Sequence, residues 1–266
     1  MNSIYQVMGT TKQNIQQGIQ HQLRFYEEVE NLRRIVYQVR EDHPSMGADT
    51  LYKKLAPVMG RDRFRIWYKE EGLKIKPKKN WRRTTDSSGV IRFANRTIDL
   101  ELTGVNQLWV SDITYYEIDG RFYYITFIMD QFSRKIKGYS VSRTLRTEDT
   151  TIAALLIATK NLSVAHKIIF HSDGGGQYYS KSFLALTADR FINSMGKTAY
   201  ENPYAERLNR TIKNDYVHYY NPSNFIQLKA MINKAVWMYN EGKPHQGAKG
   251  LTPNQFELIY KTKSVI

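Results

Sequence analysis

Residues 106–129 read NQLWVSDITYYEIDGRFYYITFIM, and the reading of this stretch decides the fold. Asn106 to Glu117 is an aromatic and β-branched run, Arg121 to Met129 alternates into a second, and Asp119-Gly120 between them is a hairpin-turn signal. Two consecutive antiparallel strands are therefore expected. Asp112 falls inside the first of them, among Trp109, Val110, Ile113 and Tyr115. A charged residue in such a run costs several kcal/mol to bury unless it is paired or holds a cation. The alternative is an edge-strand Asp that faces water.

Downstream the pattern continues as alternating strands and helices. Lys137 to Ser142 gives a third strand, Thr150 to Lys160 an Ala/Leu/Ile-rich helix, Lys167 to Phe170 a short buried strand and Lys181 to Arg190 another helix. Phe191 to Met195 adds a fifth strand. The next helix is expected to start with Asn202 as N-cap and Pro203 at its first position, and to run toward Tyr219. Phe225 to Tyr239 follows as a helix whose core face is Leu228, Ile232, Val236 and Tyr239.

Three acids stand in distinctive settings. Asp112 lies in WVSDITYY, Asp173 in HSDGGGQY and Glu206 in NPYAERLNRTIK, that is, at two strand ends and on the first turn of a helix. Carboxylates delivered by rigid elements suit a pair of divalent cations, because hard cations take oxygen ligands, and such a pair acts on phosphodiesters. Asp173 precedes three glycines, where the backbone turns tightly and something can approach closely, although a Gly-rich turn can also be only a turn. Glu206 has Glu201 and Asp215 as local rivals. It is preferred because helical spacing places Glu206 and Lys213 two turns apart on one face with Arg210 beside them, whereas Glu201 precedes the helix. An ordinary solvated helical face is the plainer alternative. Asp130 reads as a turn cap that fixes Arg134, and His245 as structural. His171, like most lone histidines a packed or surface residue on the plainer reading, could also orient Asp173 or contact DNA.

The composition narrows the partner. A net charge of +14 and a pI near 9.7 point to a polyanion. With neither a basic amphipathic helix nor an apolar run long enough to span a bilayer, nucleic acid is expected rather than a membrane. The absence of cysteine excludes disulfides and thiolate metal sites. No leader precedes the first polar segment, so a cytoplasmic, nucleoid-associated protein is expected.

The first hundred residues carry 19 Lys and Arg against 11 Asp and Glu, the denser basic part of the chain. Ile4 to Ile15 reads as two short helical pieces around Gly9, either a helix-turn-helix or a helical hairpin. Gln22 to Val39 has apolar residues at helical spacing, and helices at Ala48–Leu55 and Arg61–Glu71 complete a three-helix unit that ends at Gly72. Lys74, Lys76, Lys78, Lys79, Arg82 and Arg83 then follow within ten residues, the composition of a linker that tracks a phosphate backbone or of a plain solvated tether. The expected domains are a helical DNA-binding region over 1–73, a basic linker over 74–100, and an α/β core with a C-terminal helical tail over 101–266.

Together, WVSDITYY, MDQFSRKIKGYS, HSDGGGQYYS, ENPYAERLNRTIKNDY and YNEGKPHQGAKGLTPNQF resemble the catalytic core of insertion-sequence transposases of the IS-three type, the OrfB product, in the retroviral integrase superfamily. The likeness runs from about Asn106 to Phe256, and Ile35 to Leu73 is similar to the helical DNA-binding segment of those proteins. The resemblance implies a ribonuclease-H-like core with a mixed five-stranded sheet flanked by helices, and Asp112, Asp173 and Glu206 as a D-D-E triad for two Mg²⁺, with Mn²⁺ as a substitute. It further implies DNA cleavage at element ends followed by strand transfer into double-stranded target DNA. Lys213, Arg210 and Arg207 would hold phosphates, His171 and the linker cations would contact DNA, and the protein would act as a homo-oligomer, fused to or associated with an upstream OrfA-type helix-turn-helix protein. The interval between Asp173 and Glu206 holds 32 residues, a few fewer than is usual there. That shortfall, around Ala188 to Met195, supports an alternative: a catalytically inactive relative that occupies element ends.

Overall fold

The computed structural model describes residues 9–74, 93–163, 166–196 and 199–263. They form two compact units, divided between Ile75 and Lys76. Ile4 to Met8 and the linker cations Lys76, Lys78, Lys79, Arg82 and Arg83 lie outside the described residues, while Lys74 is exposed.

The first unit is helical. The side chain of Thr11 accepts from the Asn14 N–H and starts α1 (Lys12–Asp42), which continues without a break through the stretch expected to begin only at Gln22. After it come α2 (Ala48–Leu55) and α3 (Arg61–Glu70), closed by Gly72 at a φ of +68°. Leu32 and Val36 of α1 pack with Met46, Leu51, Met59, Phe64 and Tyr68 into a small core. Leu23, which shares their helical spacing, is exposed, whereas Phe25 and Val29 of α1 pack against the edge of that core. Arg40 ties the corner, donating to the Tyr68 hydroxyl at 3.0 Å and the Leu73 carbonyl at 2.7 Å.

The second unit is built on the hairpin. Strands β1 (Leu108–Ile118) and β2 (Arg121–Asp130) pair antiparallel, and Asp119 and Gly120 both take positive φ (+49° and +74°), the twist-matched two-residue turn. β3 (Ile136–Ser142) continues the meander. The chain then passes through α4 (Ala153–Thr159) to β4 (Ile168–Ser172) and through α5 (Lys181–Thr187) to β5 (Phe191–Met195). The sheet order is β3-β2-β1-β4-β5, with β4 parallel to β1 and β5 parallel to β4.

Period-two alternation sorts the side chains of β1 between two cores. Leu108 and Val110 face α6 (Pro203–Ile212) and α7 (Phe225–Trp237), through Leu208, Ile212, Leu228 and Ile232. Trp109 faces the crossover side, with Ala154, Leu155, Ala158, Phe170 and Phe183. A mixed five-stranded sheet, three strands antiparallel and two parallel, flanked by helices, is the ribonuclease-H-like fold.

Three boundaries differ from the sequence reading. α6 does not run smoothly toward Tyr219: a wide π-type turn over Lys213–Val217 follows Ile212, one more helical turn reaches Tyr220, and Asn221 ends it at a φ of +46°. Asn202 does not cap α6 with its side chain; it donates instead to the Ser111 carbonyl at 2.9 Å. The expected tether over 74–100 is docked at its far end, where the Arg96 N–H donates to Ser194 Oγ (2.8 Å) and the Asn95 amide to Glu201 (2.6 Å).

The C-terminal helix α8 (Pro253–Lys263) is pinned by a buried charge cluster. Glu257 is only 3% exposed and meets Lys135 Nζ at 3.2 Å, Lys137 Nζ at 3.1 Å and the Ser133 hydroxyl at 3.0 Å. Burial pushes its carboxyl up, but Lys137 and Lys135 outweigh burial and hold it below the ordinary glutamate value. A depressed carboxylate contributes stability above its unfolded pKa and loses it as pH falls through the folded one. Glu257→Gln, which leaves two half-buried ammonium groups short of a partner, is therefore expected to cost about 2–4 kcal/mol at pH 7. In urea unfolding the difference from the native chain should shrink once pH drops below about 4.

Candidate functional site

The parallel pairing of β1 with β4 brings two of the three acids together. Its register runs from Leu108 beside Ile169 to Ser111 beside Ser172, so the next step along both strands sets Asp112 next to Asp173. Adjacent strands lie about 4.8 Å apart, and the alternation points both carboxylates to the α6 side. Asp173 is held by the turn that follows it: its Oδ1 accepts from the Gly175 N–H at 3.2 Å. A Cβ on Gly175 would come within 3.1 Å of that oxygen, which is why a residue without one follows here. Tyr178 anchors the same turn from below, its buried hydroxyl 2.9 Å from Ser111 Oγ.

The third acid comes from α6. Asn209, three residues after Glu206, donates to Asp112 Oδ2 at 2.7 Å, and this bond fixes the rotation of the helix over the strand. Glu206 is exposed, on the helical face that also carries Asn209 and Lys213. Burial first, then the charge of Asp173, then that of Glu206, push the Asp112 carboxyl up to about 7, against the opposing help of the Ile113 N–H and Asn209. Burial raises Asp173 as well. The Lys213 ammonium is lowered by burial and supported by Asp112, and it stands 4.9 Å over the Tyr115 ring.

The donor set fits a hard divalent cation. It is all oxygen, and it concentrates negative charge in a half-buried place, where burial and the neighbouring carboxylates hold Asp112 above its ordinary range even though Lys213 interacts with it. The set is not preassembled, however. Among the described residues no three His, Cys, Asp or Glu side chains already stand at ligand geometry. Asp112 and Asp173 are brought together, and Glu206 would have to swing in from the exposed side of α6.

The remaining candidates separate. Arg210 and Arg207 are exposed on α6. Arg207, roughly 100° round the helix from Glu206, lines a separate cleft with Arg134 and Tyr204. His171 faces the interior: it is 1% exposed, with Nδ1 2.9 Å from Ser194 Oγ and Nε2 3.1 Å from the Glu201 carbonyl. Burial lowers its pKa and keeps it neutral. Its place is to tie β4 to β5 and to the start of α6. Asp130 is fully buried at a turn and accepts from the Ser133 N–H at 2.8 Å, while its carbonyl accepts from the Arg134 N–H at 2.9 Å. The reading of the sequence missed Asn209 and Asn202, the two amides that seat α6 on β1. The spacing of Asn209 from Glu206 and Lys213, three and four residues, was the available signal.

Two family models, both described as Integrase core domain, match residues 103–194 and 190–253. An insertion element IS600 uncharacterized 31 kDa protein of Shigella sonnei is 24% identical over 96% of this chain and 97% of its own. Transposase InsF for insertion sequence IS3A, of Escherichia coli K12, is 31% identical over 60% of this chain, a match that spans 56% of InsF. Among solved structures, the HTLV-2 integrase catalytic core domain in complex with magnesium superposes at a TM-score of 0.48 and 24% identity, over 58% of this chain and 97% of that one. The two family models together span more than half of the chain, through both aspartates and the helix of Glu206, and the chain, which is similar to insertion-sequence transposases of the IS-three type, therefore belongs to the integrase core family.

Proposed function

We propose that the chain cuts DNA at the ends of an insertion sequence and joins the freed 3′ ends to target DNA, using Asp112, Asp173 and Glu206 around two Mg²⁺. The observation that carries this reading is the β1–β4 register, which confines Asp112 beside Asp173 and leaves Asp112 holding a proton to about pH 7. Bound there, the cations would supply Lewis acidity for in-line displacement at phosphorus. The chain's own residues do the positioning. Asn209 orients Asp112, the Asp173 turn is braced by Gly175 and Tyr178, and Lys213 and Arg210 hold phosphates along α6. Residues 1–73, with the basic segment after them, serve as the DNA-binding region, and the assembly on DNA is a homo-oligomer that works with an OrfA-type partner. No helix among the described residues is long and apolar enough to cross a membrane.

The test is a strand-transfer assay with duplexes that carry the ends of the chain's own element, run with Mg²⁺, with Mn²⁺ and with chelator. Metal-dependent joined products are expected. Cutting without joining would reduce the activity to that of a nuclease, and tight end binding with no product under either metal would leave an inactive end-binding relative.

A further inference from the structure

Beside Asp173, and next along β1 from Asp112 at Ile113 and Thr114, a cleft of about 300 Å³ opens. That volume is at the lower end of small-ligand sites, roughly 300–1,000 Å³. Its walls are the rings of Tyr115, Phe122 and Tyr124, and Leu145 and Gln177 close it. Asp173 itself lines one end. The cleft is bound to the acid site at a second point, because Lys213, which feels the charge of Asp112, stands over the Tyr115 ring. Two of the apolar side chains here are unusually open to solvent, Phe122 and Leu145 at 44% each. Tyr115 and Phe122 are already edge to face, 5.1 Å between centroids, which leaves ring faces for a third flat group.

We infer that this cleft takes one unstacked nucleobase from the DNA strand whose phosphate lies against Asp112 and Asp173. The inference rests on the phosphodiester reading of the acid site. Its argument is chemical: a flat aromatic body fits between rings, while the phosphate that follows it falls between an ammonium group and the acid site. Stacking of a base on an aromatic side chain is worth about 1–3 kcal/mol and tolerates any base. Gln177 donates one of its two amide N–H groups to the Leu145 carbonyl at 3.0 Å, which leaves it as a single polar side chain to meet a base edge, and little discrimination between bases is expected. Extrusion of a base beside the scissile bond would cost a few kcal/mol in a paired duplex and least at a frayed or nicked end. The cleft therefore favours cutting where a duplex can open.

The experiment is photocrosslinking of the full chain to a 20-nucleotide single strand, and to the same strand in a nicked duplex, with one thymine replaced by 5-iodouracil. The links are mapped by mass spectrometry. Links to Tyr115, Phe122 or Tyr124 are expected, and Phe122→Ala should lower the yield at least tenfold with an unchanged circular dichroism spectrum. Links only to exposed rings elsewhere, such as Tyr200 and Tyr219, or an unchanged yield in Phe122→Ala, would overturn the inference. The same preparations are assayed for Mn²⁺-dependent nicking of supercoiled plasmid. Nicking that survives without links in the cleft removes the base site alone; links in the cleft without nicking remove the catalytic reading and keep the base site.

Discussion

Asp112→Asn is expected to abolish strand cleavage and joining, by roughly a thousandfold or more, while end binding persists. Charge stabilisation by bound cations is worth several kcal/mol at the transition state, and each 1.36 kcal/mol is a factor of ten. The substitution keeps the shape of the side chain and an oxygen for Asn209 Nδ2, so the seat of α6 on β1 survives. A second effect has the opposite sign. Without metal, the Asp112 carboxyl of the native chain titrates at about 7 against an ordinary value of 3.8, so between those limits the folded state binds more protons than the unfolded one. Stability then falls as pH rises through this window. Asn carries no such charge, and the variant should be the more stable protein at pH 8, by about 1–3 kcal/mol, with the advantage fading toward pH 4. Thermal melting at pH 5 and pH 8, with and without Mg²⁺, reads both effects. Mg²⁺ should raise the melting temperature of the native chain at pH 8 and leave the variant where it was. Equal melting of the two proteins at pH 8 without metal would mean that the aspartates are not confined as the register places them.

The hairpin was legible because its two periods and its turn agree: alternation over 106–129 and Asp119-Gly120 admit one pairing, and β4 and β5 followed from short apolar runs between helices. The strand-end position expected for Asp173 could be read for the same reason, whereas Asp112 lies inside β1 and not at its end. What sequence could not give was the relation between strands distant along the chain. Nothing local to Asp112 or Asp173 says that β4 lies parallel to β1 in the register that sets them side by side. Asn before Pro correctly placed Asn202 at the N-cap position, but that local signal does not say where the side chain turns: its Nδ2 donates to the Ser111 carbonyl of a distant strand, and its Oδ1 does not reach the helix N–H groups. The packing of His171 was not legible, because its ring nitrogens meet Ser194 and Glu201, which come from later elements. The π-type turn after Ile212 had no Pro or Gly to announce it.

Gly138→Ala is expected to be the most damaging small substitution in the second unit. Gly138 lies in β3 opposite Ile128, beside an irregularity in the β2–β3 pairing, and α4 crosses directly above it. A Cβ built there would stand 2.2 Å from the Ala154 carbonyl oxygen and 2.7 Å from the Ala158 nitrogen. Both are backbone atoms of a helix, so no rotamer change relieves the overlap; α4 must lift off the sheet. Lifting it would loosen Leu155 from Trp109 and Ile128 in the crossover core and strain the bond from Ser140 Oγ to the Thr150 carbonyl, now 2.8 Å. Overpacking of this kind costs typically 1–3 kcal/mol, and a backbone clash belongs at or above the top of that range, so a loss of about 3–4 kcal/mol is expected in urea unfolding. Gly18 is the internal control. It sits in the second turn of α1 with nothing within 4 Å of its would-be Cβ, and Gly18→Ala should stabilise the first unit by about 0.5–1 kcal/mol through helix propensity alone. If both changes proved neutral, the close approach of α4 to β3 would be wrong, and with it the packing that holds the crossover between the meander and β4.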